Sequence, residues 1–127
     1  MPHMLKIRWD IKAGLESEFR ANQEKLCGVM LEHPGVICYH VAYPSERVSE
    51  WTEIYATDEA FAAHLDNEKG KAPLAALLEA CDNVTCECWG DPGDGSKVLL
   101  EGFGTVYRST GDGAFVLNPR ADKDSLE

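Results

Sequence analysis

Two residues near the middle of the chain have the chemistry of an acid–base pair. His64 titrates close to neutrality and can take a proton from a bound molecule. Glu53 can orient such a histidine or, once buried, hold a proton itself. Trp51 and Tyr55 flank Glu53 and offer an apolar wall, and His40 is a second histidine of suitable type. Arg8 has a guanidinium fit for a carboxylate or an oxyanion. Each residue has a plainer alternative. Glu53 can be an ion-paired carboxylate, with Arg8 or Arg20 as its partner. His64 and His40 can be hydrogen-bonded structural or surface histidines. Trp51 and Tyr55 can be core or dimer-interface aromatics.

Alternation along the strands decides which of these side chains can meet. A run over 50–56 reads as a strand, with Trp51, Glu53 and Tyr55 on one side and Thr52, Ile54 and Ala56 on the other. In the strand over 36–43, Ile37, Tyr39, Val41 and Tyr43 form the more apolar side and are expected beneath helices. Val36, Cys38, His40 and Ala42 then face away. In the strand over 5–11, Lys6, Arg8 and Asp10 turn away from the helices. A pocket between the sheet and the helix bearing His64 is expected to gather Arg8, His40, Trp51, Glu53 and Tyr55. His64 lies on the flank of Phe61 and Leu65, an i,i+4 core pair.

The other elements follow from periodicity and punctuation. Leu15, Phe19, Leu26, Met30 and Leu31 recur at helical spacing, and His33-Pro34-Gly35 ends that helix. The polar stretch 44–49 is short enough for a hairpin turn. Thr57 is placed to cap a helix running to about Asp66, with Asp58 and Glu59 in its first turn. Residues 67–71 read as a break, Pro73 as the first-turn residue of a helix reaching about Cys81, and 84–89 as a fourth strand. The order β-α-β-β-α-β is that of the ferredoxin-like split βαβ, an α+β fold with one antiparallel sheet and helices on one face. Pairing two such sheets face to face in a homodimer would cover the other face. Residues 90–96 read as a loop, and 98–108 with 115–117 as an appended C-terminal hairpin. The expected organisation is a domain over 1–90, a β extension over 91–118, and a charged, disordered tail over 119–127.

Composition excludes several classes. The 127 residues carry a net charge of −10, which opposes nucleic acid and anionic membrane surfaces. No run reaches the roughly 20 apolar residues of a membrane span. The N-terminus lacks the pattern of a signal peptide, and the five cysteines are an odd number at no zinc-ribbon spacing. Reduced thiols in a cytoplasmic protein are expected. Cys86 and Cys88 share a strand face only two residues apart, and spacing fixes no fourth ligand, so no metal is expected.

The run from Glu50 through Trp51, Glu53, Tyr55, Phe61 and His64 to Leu65 resembles the signature of the antibiotic biosynthesis monooxygenase family. Gly14, Phe19 and Gly35 fit the same pattern, over roughly residues 4–90. The resemblance implies ferredoxin-like subunits paired into a dimeric α/β barrel. It also implies a small-molecule substrate and chemistry that includes cofactor-free oxygenation of aromatic or quinol-type compounds. On that implication His64 and Glu53 are catalytic, Tyr55, Trp51, His40 and Arg8 bind substrate, and no cofactor or metal is needed. The family also contains isomerases and members without known activity, so a non-oxidative enzyme or a binding dimer stays open. Its haem-degrading branch has an Asn in strand one, a Trp in helix two and a His about ten residues later. Here those positions hold Arg8 or Trp9, His64 and Leu74, which do not match.

Overall fold

The computed structural model describes residues 2–30, 32–114 and 116. Its elements are β1 (His3–Ile11), α1 (Glu16–Met30), β2 (Val36–Ser45), β3 (Val48–Tyr55), α2 (Asp58–Asp66), α3 (Glu68–Glu79), β4 (Cys81–Gly90), α4 (Gly93–Glu101) and β5 (Val106–Arg108). The sheet runs β2-β3-β1-β4-β5. Its first four strands pair antiparallel, which is the ferredoxin-like arrangement. None of the described helices is long and apolar enough to cross a membrane.

Alternation builds one covered face. His3, Leu5, Trp9 and Ile11 of β1 are buried against the helices, whereas Lys6 and Arg8 are exposed on the other side. Two apolar clusters fill the covered face. One joins Trp9, Phe19, Leu26, Trp51 and Leu77. The other joins Leu5, Tyr55, Phe61, Cys86, Cys88 and Leu100. Ile7 and Val36 pack against both.

Local chemistry sets how α2 and α3 sit. The Thr57 side chain accepts from the Ala60 N–H, as its type and position predict. Gly35 passes so close to α2 that a Cβ there would fall 2.3 Å from the Ala60 Cβ, so only glycine lets β2 start beneath α2. The break expected over 67–71 shrinks to one residue. The Asn67 backbone N–H closes α2 on the His64 carbonyl, and its side chain accepts from the Lys69 N–H to start α3. Pro73 therefore lies inside α3 rather than in its first turn.

Two further expectations are corrected. Ile37 does not lie beneath the helices. A register shift between Val36 and Cys38 turns it outward, 48% exposed, and gives its place in the core to Val36. The appended hairpin is instead a crossover. Residues 93–101 form α4 despite two glycines, because Ser96 and Leu100, one turn apart, are buried on its inner side. β5 then returns parallel to β4, with Glu87–Trp89 opposite Val106–Arg108. The expected second arm of the hairpin at Phe115 and Leu117, and the tail over 119–127, lie outside the described residues.

Candidate active site

Strand register places the acidic member of the site. Glu53 sits in β3 between Leu5 of β1 and Tyr39 of β2, all directly opposite one another in the sheet. Directly opposed residues share a face, so Tyr39 and Glu53 both point beneath the helices. α2 crosses above them. Phe61 and His64, one turn apart, are its buried side chains. The His64 Nε2 lies 4.0 Å from the Glu53 Oε1, and both side chains are almost wholly buried.

An aromatic cage holds this pair. The Tyr55 hydroxyl donates to the Glu53 carboxyl, and the Tyr39 hydroxyl faces the same group. The Tyr55 ring lies roughly parallel to His64 at 5.9 Å, and Tyr39 meets His64 edge-on at 6.0 Å. His3 stacks on Tyr55 at 5.3 Å, and His33 approaches His64 at 6.3 Å. The His64 Nδ1 is buried without a hydrogen-bond partner among the described residues.

Burial sets the protonation states. Loss of water pushes the Glu53 carboxyl up to about 7, against the opposing pull of the Tyr55 and Tyr39 hydroxyls. Burial, helped by nearby His33, lowers His64 to about 4. Between about pH 4 and 7 the pair is a carboxylic acid beside a neutral imidazole, an acid and a base facing one cavity.

The pair opens on a cavity at the seam between the two apolar clusters. Trp9, Leu26 and Trp51 wall one side, and Leu5, Phe61, Cys86 and Leu100 the other, with Phe103 beyond the end of α4. It measures about 40 Å³, room for roughly three waters. No Lys or Arg is among the residues that line it.

The structure brings together some of the expected residues and separates others. Glu53, His64 and Trp51 line the cavity. Tyr55 stands behind Glu53 and holds it. The Trp51 indole N–H is already used, donating to the Ser49 Oγ at 2.8 Å. Arg8 and His40 do not join the site. They occupy the opposite face of the sheet, because their positions in β1 and β2 alternate with those of the cavity residues. Arg8 lies 3.2 Å from Asp10 and 3.6 Å from Glu50, and His40 is exposed opposite Thr52. Neither suggested arginine pairs with Glu53, since Arg20 lies over the Tyr43 ring at 4.4 Å. Sequence reasoning missed Tyr39 as a site residue, along with His3, His33 and Trp9. Tyr39 could not be placed opposite Glu53 from the β2–β3 turn, because a register shift between Ala42 and Ser45 intervenes. His3 and His33 carry no sequence pattern that separates them from surface histidines.

No protein family profile matches the sequence, and no curated protein matches it. Solved structures do match. MupZ from Pseudomonas fluorescens superposes with a TM-score of 0.72 at 11% identity, over 95% of this chain and 98% of that one. A Caulobacter crescentus protein assigned to the antibiotic biosynthesis monooxygenases superposes at 0.62 with 21% identity, covering 68% and 86%. SnoaB from Streptomyces nogalater, a cofactor-independent oxygenase, superposes at 0.62 with 12% identity, covering 72% and 94%. The chain has the antibiotic biosynthesis monooxygenase fold. The likeness to the last two spans about the share of the chain that precedes the α4 crossover. That to MupZ reaches well into the C-terminal region.

Proposed function

We propose that this protein is a cofactor-independent monooxygenase acting on a small aromatic or quinol-type substrate. The observation that carries this reading is the buried Glu53–His64 pair on the wall of an otherwise apolar cavity free of Lys and Arg. Such an apolar lining suits a neutral ring compound, which the cavity would have to widen beyond its 40 Å³ to admit and whose entry would displace the water it has room for. Above pH 7 the Glu53 carboxylate takes a proton from a ring carbon or hydroxyl acidified by conjugation. The substrate anion passes one electron to dioxygen, and the radical and superoxide combine to form a carbon–oxygen bond. The proton held on Glu53 returns to the peroxide. Loss of water then turns a ring CH₂ into C=O, with one atom of dioxygen in the product and one in water. Neutral His64 presents Nε2 to the reacting substrate as a hydrogen-bonding partner, and the Tyr55 hydroxyl keeps the Glu53 carboxyl in place. No metal or flavin enters this scheme.

The same pair also suits an isomerase, since an acid beside a base can move a proton within one molecule without dioxygen. Oxygen uptake with ring quinols and anthrone in chelator-treated buffer separates the two. Uptake of one dioxygen per substrate is expected, and turnover that proceeds equally under argon would favour the isomerase. His64→Ala is expected to lower turnover roughly 10²–10⁴-fold with the fold intact by circular dichroism. Full activity in that variant would remove His64 from the mechanism.

The active unit is a homodimer in this reading, formed through the sheet face that no helix covers. Among the described residues that face carries charges of both signs, Lys6 and Arg8 against Glu50 and Glu87, and so can meet a second copy of itself.

A further inference from the structure

The cavity of about 40 Å³ has to widen to take a ring compound, and Tyr39 marks a place where its wall can part. Tyr39 lines the cavity and also a surface groove of about 340 Å³ between α1 and the start of β2. Neighbouring residues of α1 line the two spaces, Leu26 the cavity and Cys27 the groove. Burial pushes the Cys27 thiol up and the charge of Glu53 adds to this, so the groove lies within electrostatic reach of the acid–base pair.

The wall at this point is lightly held. β2 is an edge strand, paired on one side only, and its register shifts between Val36 and Cys38, just before Tyr39. Tyr39 is half-buried, whereas Glu53, Tyr55 and His64 are buried. Its hydroxyl faces a carboxyl that Tyr55 holds as well, so Glu53 keeps a donor if Tyr39 swings away. The groove is also kept clear. Gly28 sits inside α1, where glycine is disfavoured, yet a Cβ there would meet no atom within 4 Å. Packing therefore does not call for glycine at this position, and a longer side chain would stand in the groove. A depression on the open sheet face shares Ile7 and Trp51 with the cavity. There the paired strands β1 and β3 stand between, and parting them would break a ladder of backbone hydrogen bonds.

We propose that the groove between α1 and β2 is the entrance to the cavity and that the Tyr39 side chain is its door, which swings aside to pass a small uncharged molecule to Glu53 and His64. No charged side chain is among the described residues that line the groove, and Met30, Val36 and Ile37 give it an apolar surface. The proposal rests on reading the cavity as a small-molecule site and holds whichever reaction occurs there.

Fluorobenzene is a one-ring probe whose ¹⁹F signal reports its free and bound populations and the rate of exchange between them. A blocked entrance slows entry and exit by the same factor and leaves the dissociation constant unchanged, which a merely structural residue does not do. Gly28→Leu is expected to lower both rates roughly tenfold at an unchanged dissociation constant, with folding no weaker in urea, since leucine favours a helix more than glycine does. Gly28→Ala, whose methyl is too short to fill the groove, is expected to leave both rates as in the native protein. Tyr39→Phe loses the hydroxyl's hold on Glu53 and is expected to speed release, which tests the door even if the leucine variant does not fold. Unchanged rates in Gly28→Leu, or a raised dissociation constant with entry unchanged, would overturn the entrance. Release no faster in Tyr39→Phe would remove Tyr39 as its door. No binding of fluorobenzene to the native protein at millimolar concentration would overturn the proposal together with the reading of the cavity as a ring-compound site. Binding with the expected rates but no oxygen uptake from any quinol would remove the oxygenase reading and leave the entrance in place.

Discussion

Glu53 and His64 have opposite proton preferences, and this gives each a distinct signature in stability. Glu53 titrates at about 7 when folded against an ordinary 4.5, so between those values the folded state holds a proton that the unfolded chain has lost. Its contribution falls as pH rises through that window. His64 titrates at about 4 against 6.5, so there the unfolded chain holds the extra proton and stability rises with pH. From pH 4.5 to 6.5 the two slopes cancel in the native protein: one proton sits on Glu53 when folded and one on His64 when unfolded. Single substitutions unmask them. Relative to the native protein, Glu53→Gln is expected to gain stability with rising pH over this window, and His64→Gln to lose it. Urea midpoints at pH 4.5 and 6.5 check this, and slopes of the same sign in both variants would contradict it.

At the scale of elements, the site depends on how closely α2 lies over β2 and β3. Gly35 sets that approach, and Gly35→Ala drives a Cβ into Ala60. A loss of about 1–3 kcal/mol is expected in urea unfolding, with a displaced His64. A change under 0.5 kcal/mol would mean that α2 gives way freely. The strand and helix order through β4 was legible because alternation and helical spacing are strong there, and Thr57 announced its helix by residue type. What was illegible depended on contacts distant in sequence. α4 has two glycines in nine residues and no side-chain cap, so nothing local predicts a helix. Leu100, packed against Cys88 and Phe61 in one cluster, supplies what propensity lacks. The bulge at Val36–Cys38 likewise reversed Ile37 with no Gly or Pro within it to mark it. Alternation did separate the two sheet faces, and applied strictly it already sets Arg8 and His40 apart from Glu53. Gathering all of them into one pocket went beyond what alternation allows.

The whole molecule presents one covered sheet face and one open one, and its function is proposed to need both. A dimer through the open face is expected to show twice the 14.0 kDa chain mass in light scattering at micromolar concentration. A monomer would remove the face-to-face barrel and leave each site to a single chain. Within each chain the central claim is that buried Glu53 is the base that hands a neutral ring substrate to dioxygen. The pH dependence of oxygen uptake with anthrone, in native protein and in Glu53→Gln, tests it most directly. Uptake is expected to rise with pH along a single titration centred near 7, and to fall to the uncatalysed rate in Glu53→Gln at every pH. Uptake that is flat with pH, or that survives in a folded Glu53→Gln variant, would contradict it.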